Sequence, residues 1–242
     1  MATVMILGAR SDIGLAVAHQ FAKHGCDIQL AGRKIDHSQS DRLDLMVRYQ
    51  VGVTLHEFDV LATETHPTFV NKLSVLPDIV VCAIGYLGDQ PLGQNNGDTF
   101  TTIVRTNYEG PATILGVLAN KFESRGSGTL IGISSVAGLR GRASNYIYGS
   151  AKAGFTAFLS GLRNRLSKSG VRVITVLPGF VHTKMIADIE TPKLLTATRE
   201  SLAKAIYASA QSNRDIVIYH RWRLIMAVIC LIPERIFKRL SL

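Results

Sequence analysis

The sequence predicts a doubly wound α/β fold, an all-parallel sheet of about seven strands with helices on both faces. Three observations predict it. Short apolar runs rich in Val and Ile alternate with helical patterns along the whole chain. These runs are apolar at consecutive positions, as strands covered on both faces are. Strict alternation of strand and helix also calls for right-handed crossovers between parallel neighbours.

The elements follow in order. TVMILGA (3–9) is the first strand, and a helix runs from about Ile13 to Lys23. DIQLAGR (27–33) and VGVTLHEFDV (51–60) are the second and third strands, separated by a helix near 38–50. A helix near 64–75 leads to DIVVCAIG (78–85), and a long one near 98–123 leads to GTLIGISS (128–135). A helix near 145–169, then VRVITVLPG (171–179), a helix near 196–212 and DIVIY (215–219) complete the pattern. Gly25 and Gly170 stand where helices need C-terminal caps. LGDQPLGQNNGD (87–98) reads as a polar loop near the active-site rim, either shaping substrate entry or, as expected, simply solvated. In such a fold ligands bind at the carboxyl ends of the strands, so the residues ending the strands carry the functional information.

Residues 1–242 read as a single domain, because no Pro-, Gly- or Ser-rich linker and no repeat interrupts the pattern. The first strand begins at Thr3, so no signal peptide is expected. No window reaches the ~18–20 apolar residues needed to span a bilayer. Cys26, Cys82 and Cys230 are far apart and read as reduced thiols, so a cytoplasmic location is expected. The formal charge is +9, of which Arg221, Arg223, Arg235, Lys238 and Arg239, set against Glu234, give the tail from 221 to 242 a net +4. That charge fits an anionic partner, but no nucleic-acid motif and no basic helix interleaved with aromatics is present. The seven histidines show no ligand spacing, so no metal is expected.

The first strand turns into its helix through GARSDIG, Gly8 to Gly14. A glycine-rich turn at a helix N-terminus presents backbone N–H groups to a pyrophosphate, so Gly8, Arg10, Ser11, Asp12, Ile13 and Gly14 are candidate dinucleotide contacts. Asp12, where the usual pattern has glycine, reads as the helix cap. At the end of the second strand an acid would accept from the ribose hydroxyls of NAD, whereas Arg33 can pair with the 2′-phosphate of NADP. Arg10 adds positive charge there, which favours NADP(H) over NAD(H). Asp59, with Val60 beside it, ends the third strand. Its carboxylate can accept from an adenine amino group or cap the following turn.

YGSAK places Tyr148 and Lys152 four residues apart, on one face of a helix. A phenol titrates near ~10, and a neighbouring ammonium group is expected to lower that value. Ser135 ends the fifth strand at the same carboxyl edge, and Asn107 lies inside the preceding long helix. Ser134 and Tyr146 read as structural neighbours.

This conjunction resembles the short-chain dehydrogenase/reductase family, with its Rossmann-type fold, over nearly the whole chain. PGFVHT (178–183) is similar to that family's loop after the sixth strand. The resemblance implies that Pro178, Gly179, Val181 and Thr183 line the nicotinamide end. It implies that Tyr148 protonates a substrate carbonyl while NAD(P)H delivers hydride, and that Lys152 holds the nicotinamide ribose. Ser135 would hold the carbonyl oxygen, and Asn107 would anchor a water in the proton relay. The chain departs from the family in reading CAIG (82–85) where Asn-Asn-Ala-Gly is usual, so backbone groups beside Gly85 must serve there.

Finer stretches narrow the resemblance: SDIG, IGYLGDQ, TNYEGPATILGVLANKFESRGSGTLIGISSVAG and the basic-apolar tail. They are similar to the decaprenylphosphoryl-2-keto-erythro-pentose reductases of arabinan precursor synthesis. That group reduces a keto group on a sugar linked by phosphate to a polyprenyl lipid. It implies peripheral contact with the inner face of the plasma membrane through 221–242, for which an apolar helix flanked by Lys and Arg is suited. The tail is expected as a short helix over Leu224 to Ile232, stopped at Pro233, with a further turn after it. Packing of that tail on the chain's own core or on a second subunit is the other reading. A soluble substrate such as a 3-oxoacyl thioester, and a cofactor-binding scaffold or redox sensor without turnover, are the alternatives in function.

Overall fold

The computed structural model describes residues 1–240, the side chain of His220 excepted. Seven strands form one sheet in the order β3-β2-β1-β4-β5-β6-β7, and every neighbouring pair is parallel. The strands are β1 (Thr3–Leu7), β2 (Asp27–Gly32), β3 (Val53–Glu57), β4 (Ile79–Cys82), β5 (Gly128–Ile133), β6 (Val171–Leu177) and β7 (Ile216–Ile218). Each ends one to three residues before its apolar run does. The remaining residues leave the extended conformation to form the loops of the site, as at Gly8, where φ is +84°.

The helices cover both faces. On one face α1 (Asp12–Ala22), α2 (Gln39–Tyr49) and α8 (Arg199–Ala210) bury Val17, Phe21, Leu45 and Ile206 against Val4, Ile6 and Ile174. On the other, α3 (His66–Asn71), α6 (Gly110–Arg125) and α7 (Tyr146–Leu166) bury Val70, Leu118, Phe122, Phe155 and Leu159 against Met5, Leu7 and Val80. Alternate side chains of β1 thus enter two cores, which is why the strand is apolar at every position from Val4 to Leu7. Each such Leu or Phe contributes ~1.5–3 kcal/mol through burial. Gly25 and Gly170 both adopt the left-handed conformation, with φ of +78° and +72°, as helix-terminal glycines do.

Three elements differ from the sequence reading. The helix predicted over 98–123 is α5 (Gly97–Val104), a π turn over Arg105–Glu109, and then α6. Pro111 lies at the start of α6. It has no N–H for the Asn107 carbonyl and its ring crowds that oxygen, so the turn widens. The polar stretch 87–98 contains a short helix, α4 (Gln90–Asn95). Asp89 Oδ1 caps it by accepting from Leu92 N at 2.7 Å, and Asn96 Oδ1 caps α5 by accepting from Thr99 N at 2.8 Å. The helix predicted over 64–75 is reduced to α3, preceded by a 3₁₀ turn at Thr63–Thr65.

The tail folds as α9 (His220–Leu231), broken at Pro233, and α10 (Glu234–Phe237). One side of it packs on the chain's own core. Trp222 and Met226 are 4% and 2% exposed and cluster with Val136 and Leu177. Leu224, Val228 and Leu231 form the opposite side and are 74%, 64% and 82% exposed. No helix among the described residues is long and apolar enough to cross a membrane.

Candidate active site

The strand order reverses between β1 and β4, and the loops at this point open a cleft along the carboxyl edge. Gly8 opens the β1 loop. A Cβ there would lie 2.9 Å from Ile84 Cγ1 and 3.0 Å from the Ala83 carbonyl oxygen, and one on Gly14 would lie 2.5 Å from the Gly8 oxygen. Only glycines let this turn close against β4. Ser11, and not Asp12 as the sequence reading had it, caps α1: its Oγ accepts from Gly14 N at 3.0 Å and donates to the Gly8 carbonyl at 2.8 Å. Asp12 is the first helical residue, and its carboxylate points away from the helix N-terminus. It accepts from Lys184 N at 2.7 Å and lies 3.4 Å from Arg199 Nη1, tying the glycine loop to the loop that follows β6.

One half of the cleft, about 350 Å³, is lined by Gly8, Arg10, Gly32, Arg33, Phe58 and Val60, with Ile84 and Gly85 on the β4 side. Among the described residues lining it there is no carboxylate. The nearby Glu57 is engaged: its two oxygens accept from Lys34 N at 2.9 Å and Ile35 N at 3.0 Å. Arg10 and Arg33 are exposed at the rim, and Arg10 Nη1 donates to the Arg33 carbonyl at 3.1 Å. Asp59 Oδ1 accepts from Leu61 N at 2.9 Å, so this carboxylate caps the turn, and the wall is formed by its neighbours Phe58 and Val60. The tight turn between Gly8 and Gly14, the helix N-terminus and the basic rim fit a dinucleotide with its pyrophosphate at Gly8–Gly14.

The other half, about 330 Å³, brings Ser135, Tyr148 and Lys152 together. The Ser135 hydroxyl faces Tyr148 closely enough to favour its ionised form, and it accepts from Ala137 N at 3.1 Å, which fixes the serine at the end of β5. Lys152 is 2% exposed; its Nζ donates to the Ile133 carbonyl at 3.1 Å and the Ile84 carbonyl at 3.4 Å. Burial pulls the Lys152 ammonium down to about 8. Burial pushes the Tyr148 phenol up to about 12, with the Ser135 hydroxyl acting the other way. The expected lowering of Tyr148 by the lysine is not found: burial sets the direction of the shift, and only Ser135 opposes it. Asn107 is fully buried in the π turn. Its Nδ2 donates to the Tyr86 carbonyl at 2.6 Å and the Ile103 carbonyl at 2.8 Å, and its Oδ1 accepts from Tyr86 N at 3.1 Å. It thus pins the β4 loop beside Gly85 and Lys152. Ser134 bonds to the Lys152 carbonyl at 2.9 Å and to Thr156 at 2.7 Å, holding α7 against the sheet, and Tyr146 is exposed.

A family model described as short chain dehydrogenase matches residues 2–193. The chain is a short-chain dehydrogenase. An uncharacterized oxidoreductase of Mycobacterium tuberculosis is 35% identical to it over 244 residues, covering 99% of this chain and 97% of that relative. A 3-oxoacyl-[acyl-carrier-protein] reductase of Chlamydia muridarum is 27% identical and covers 75% of this chain and 74% of its own. Among solved structures, a short-chain dehydrogenase from Sphingobium yanoikuyae in complex with NADPH shares the fold. Its TM-score is 0.82 at 22% identity, over 97% of each chain. The chain is thus an NAD(P)-dependent oxidoreductase by family.

Around the reacting groups, this short-chain dehydrogenase builds the cleft from residues that sequence reading placed and from others that it missed. Pro178, Gly179, Val181 and Thr183 line it after β6, as do Ser11, Asp12 and Ile13 on the glycine loop. The missed residues include Arg142, Asn145, Phe180, Lys184, Met185 and Trp222. Trp222 reaches the site from the tail: a Cβ on Gly179 would meet its Nε1 at 2.0 Å, and that Nε1 donates to the Leu195 carbonyl at 2.8 Å. A lone tryptophan at the head of an apolar helix was the available signal. The partner it chose depends on the backbone at Gly179.

Proposed function

We propose that this enzyme reduces a ketone with NADPH, and that the ketone is carried on a lipid-linked, phosphate-bearing sugar. The observation that carries the reduction is the convergence of Ser135, Tyr148 and Lys152 in one cleft. Bound NAD(P)H supplies the hydride. Ser135 orients the carbonyl oxygen, and Tyr148, protonated at neutral pH, donates the proton to that oxygen. Lys152 holds the ribose and a proton behind Tyr148, and Asn107 positions the β4 loop over both, with a relay water at its carbonyl side. Gly8 to Gly14 hold the pyrophosphate, and Arg10 and Arg33, without a competing acid, favour the 2′-phosphate of NADP(H).

The lipid-linked reading is supported by the apolar wall of Phe180, Met185, Ile189 and Trp222 and by the exposed stripe Leu224, Val228 and Leu231 on the other side of the helix that carries Trp222. Exposed Arg221, Arg235, Lys238 and Arg239 flank that stripe, as in helices that rest in an anionic headgroup zone. Soluble 3-oxoacyl thioesters are the second reading, favoured by the reductase relative above. Oxidation of NADPH is measured with a polyprenyl-phosphate-linked keto-pentose in anionic vesicles and with a soluble 3-oxoacyl thioester. The lipid-linked ketone is expected to have the higher kcat/KM, and Leu224→Asp with Val228→Asp to lower that value alone. Turnover confined to the soluble ketone sinks the lipid reading.

A further inference from the structure

Two arginines two residues apart, on the loop between Ser135 and α7, are treated very differently by the fold. Arg140 is fully engaged by the tail: Nη2 pairs with Glu234 Oε2 at 2.8 Å, Nη1 donates to the Cys230 carbonyl at 3.2 Å, and the guanidinium lies 4.1 Å from the centre of the Phe237 ring. Arg142 lines the cleft, half-buried, and no carboxylate lowers the cost of its burial. Its Nε is buried without a partner, and so is Oδ1 of Asn145 three residues on. Burial pulls its pKa down with no acid to oppose it.

A guanidinium Nε withdrawn from water without an acceptor is costly, and buried polar atoms without partners mark an unplaced group. Asp12 is the only carboxylate among the described residues lining this half, and it is already held by Lys184 N and Arg199. Arg142 does not line the dinucleotide half and precedes Tyr148 by six residues, so the missing anion belongs on the substrate side. We infer that Arg142 and Asn145 form an anion subsite for a phosphate or carboxylate on the substrate. The planar fork of Arg142 takes two of its oxygens, and Asn145 accepts from a neighbouring hydroxyl. The surrounding Leu87, Val136, Phe180, Met185 and Trp222 receive an apolar portion of the same molecule. The inference deepens the ketone-reductase reading and rests on it for the identity of the ligand as substrate.

The test is calorimetric binding to the NADPH-loaded enzyme, using farnesyl phosphate, farnesol and ribose 5-phosphate as probes. Wild type is expected to prefer farnesyl phosphate to farnesol. Arg142→Met is expected to lower phosphate-probe affinity about ten- to hundredfold, leaving farnesol and NADPH unchanged. Arg142→Lys keeps the charge without the fork and is expected to fall between; it carries the test if Arg142→Met no longer binds NADPH. Dependence on Arg142 for farnesyl phosphate alone assigns a lipid-linked anion, and for ribose 5-phosphate alone a free sugar phosphate. A phosphate preference that survives both substitutions overturns the subsite, as does absence of binding by both phosphate probes. Binding is read without turnover, so failure of ketone reduction shows separately.

Discussion

Lys152 sits among carbonyl oxygens with no carboxylate beside it among the described residues, and that setting decides its chemistry. Its folded pKa of about 8 lies below the 10.5 of the unfolded chain. Between those values the unfolded chain binds more protons, so this group's contribution to stability rises with pH across the window. The advantage in stability of Lys152→Met over wild type is therefore expected to be largest below about pH 8 and to shrink toward pH 10.5. Urea unfolding of both proteins across that range measures it, and a constant difference contradicts the buried-ammonium assignment. The pairing of Tyr148 and Lys152 was legible because helical spacing alone puts them on one face. The balance of their pKa values was not, since desolvation depends on what the sheet and loops place around them.

Asp12 shows where element-scale reading runs out. Its type and position mark a helix cap, and a cap does form, but one residue earlier at Ser11. A side chain next to a helix start has several partners within reach, and only the folded loop after β6 shows that Lys184 N–H competes successfully. Asp12→Ala leaves the cap intact and removes one charge-assisted bond, worth ~1.5–3 kcal/mol, from the loop 183–198. Faster limited proteolysis within 183–198 is expected, with a raised KM for the ketone, and Asp12→Asn, which keeps an acceptor, is expected to recover much of both. An unchanged cleavage rate removes the tether from the account. The π turn at Asn107 was hidden for a related reason: hydrophobic spacing reports a helix, whereas Pro111 and the Asn107 side chain decide its local pitch.

For the whole molecule, consecutive apolar strands and alternating order were enough to anticipate the seven-stranded parallel sheet, because both follow from burial on two faces. The tail was legible as an apolar, basic helix but not in its placement. Periodicity defines a face without naming what it meets, and here one face meets Gly179 and Val136 while the other stays open. That placement makes the tail a wall of the reaction cleft as well as a surface. The most direct measurement is steady-state NADPH oxidation by Tyr148→Phe beside wild type, with the ketone that wild type turns over. A fall in kcat of about 10²–10⁴-fold with NADPH binding retained is expected of a lost general acid. Wild-type turnover in the variant would contradict the assignment of Tyr148 as the proton donor and, with it, the reaction placed in this cleft.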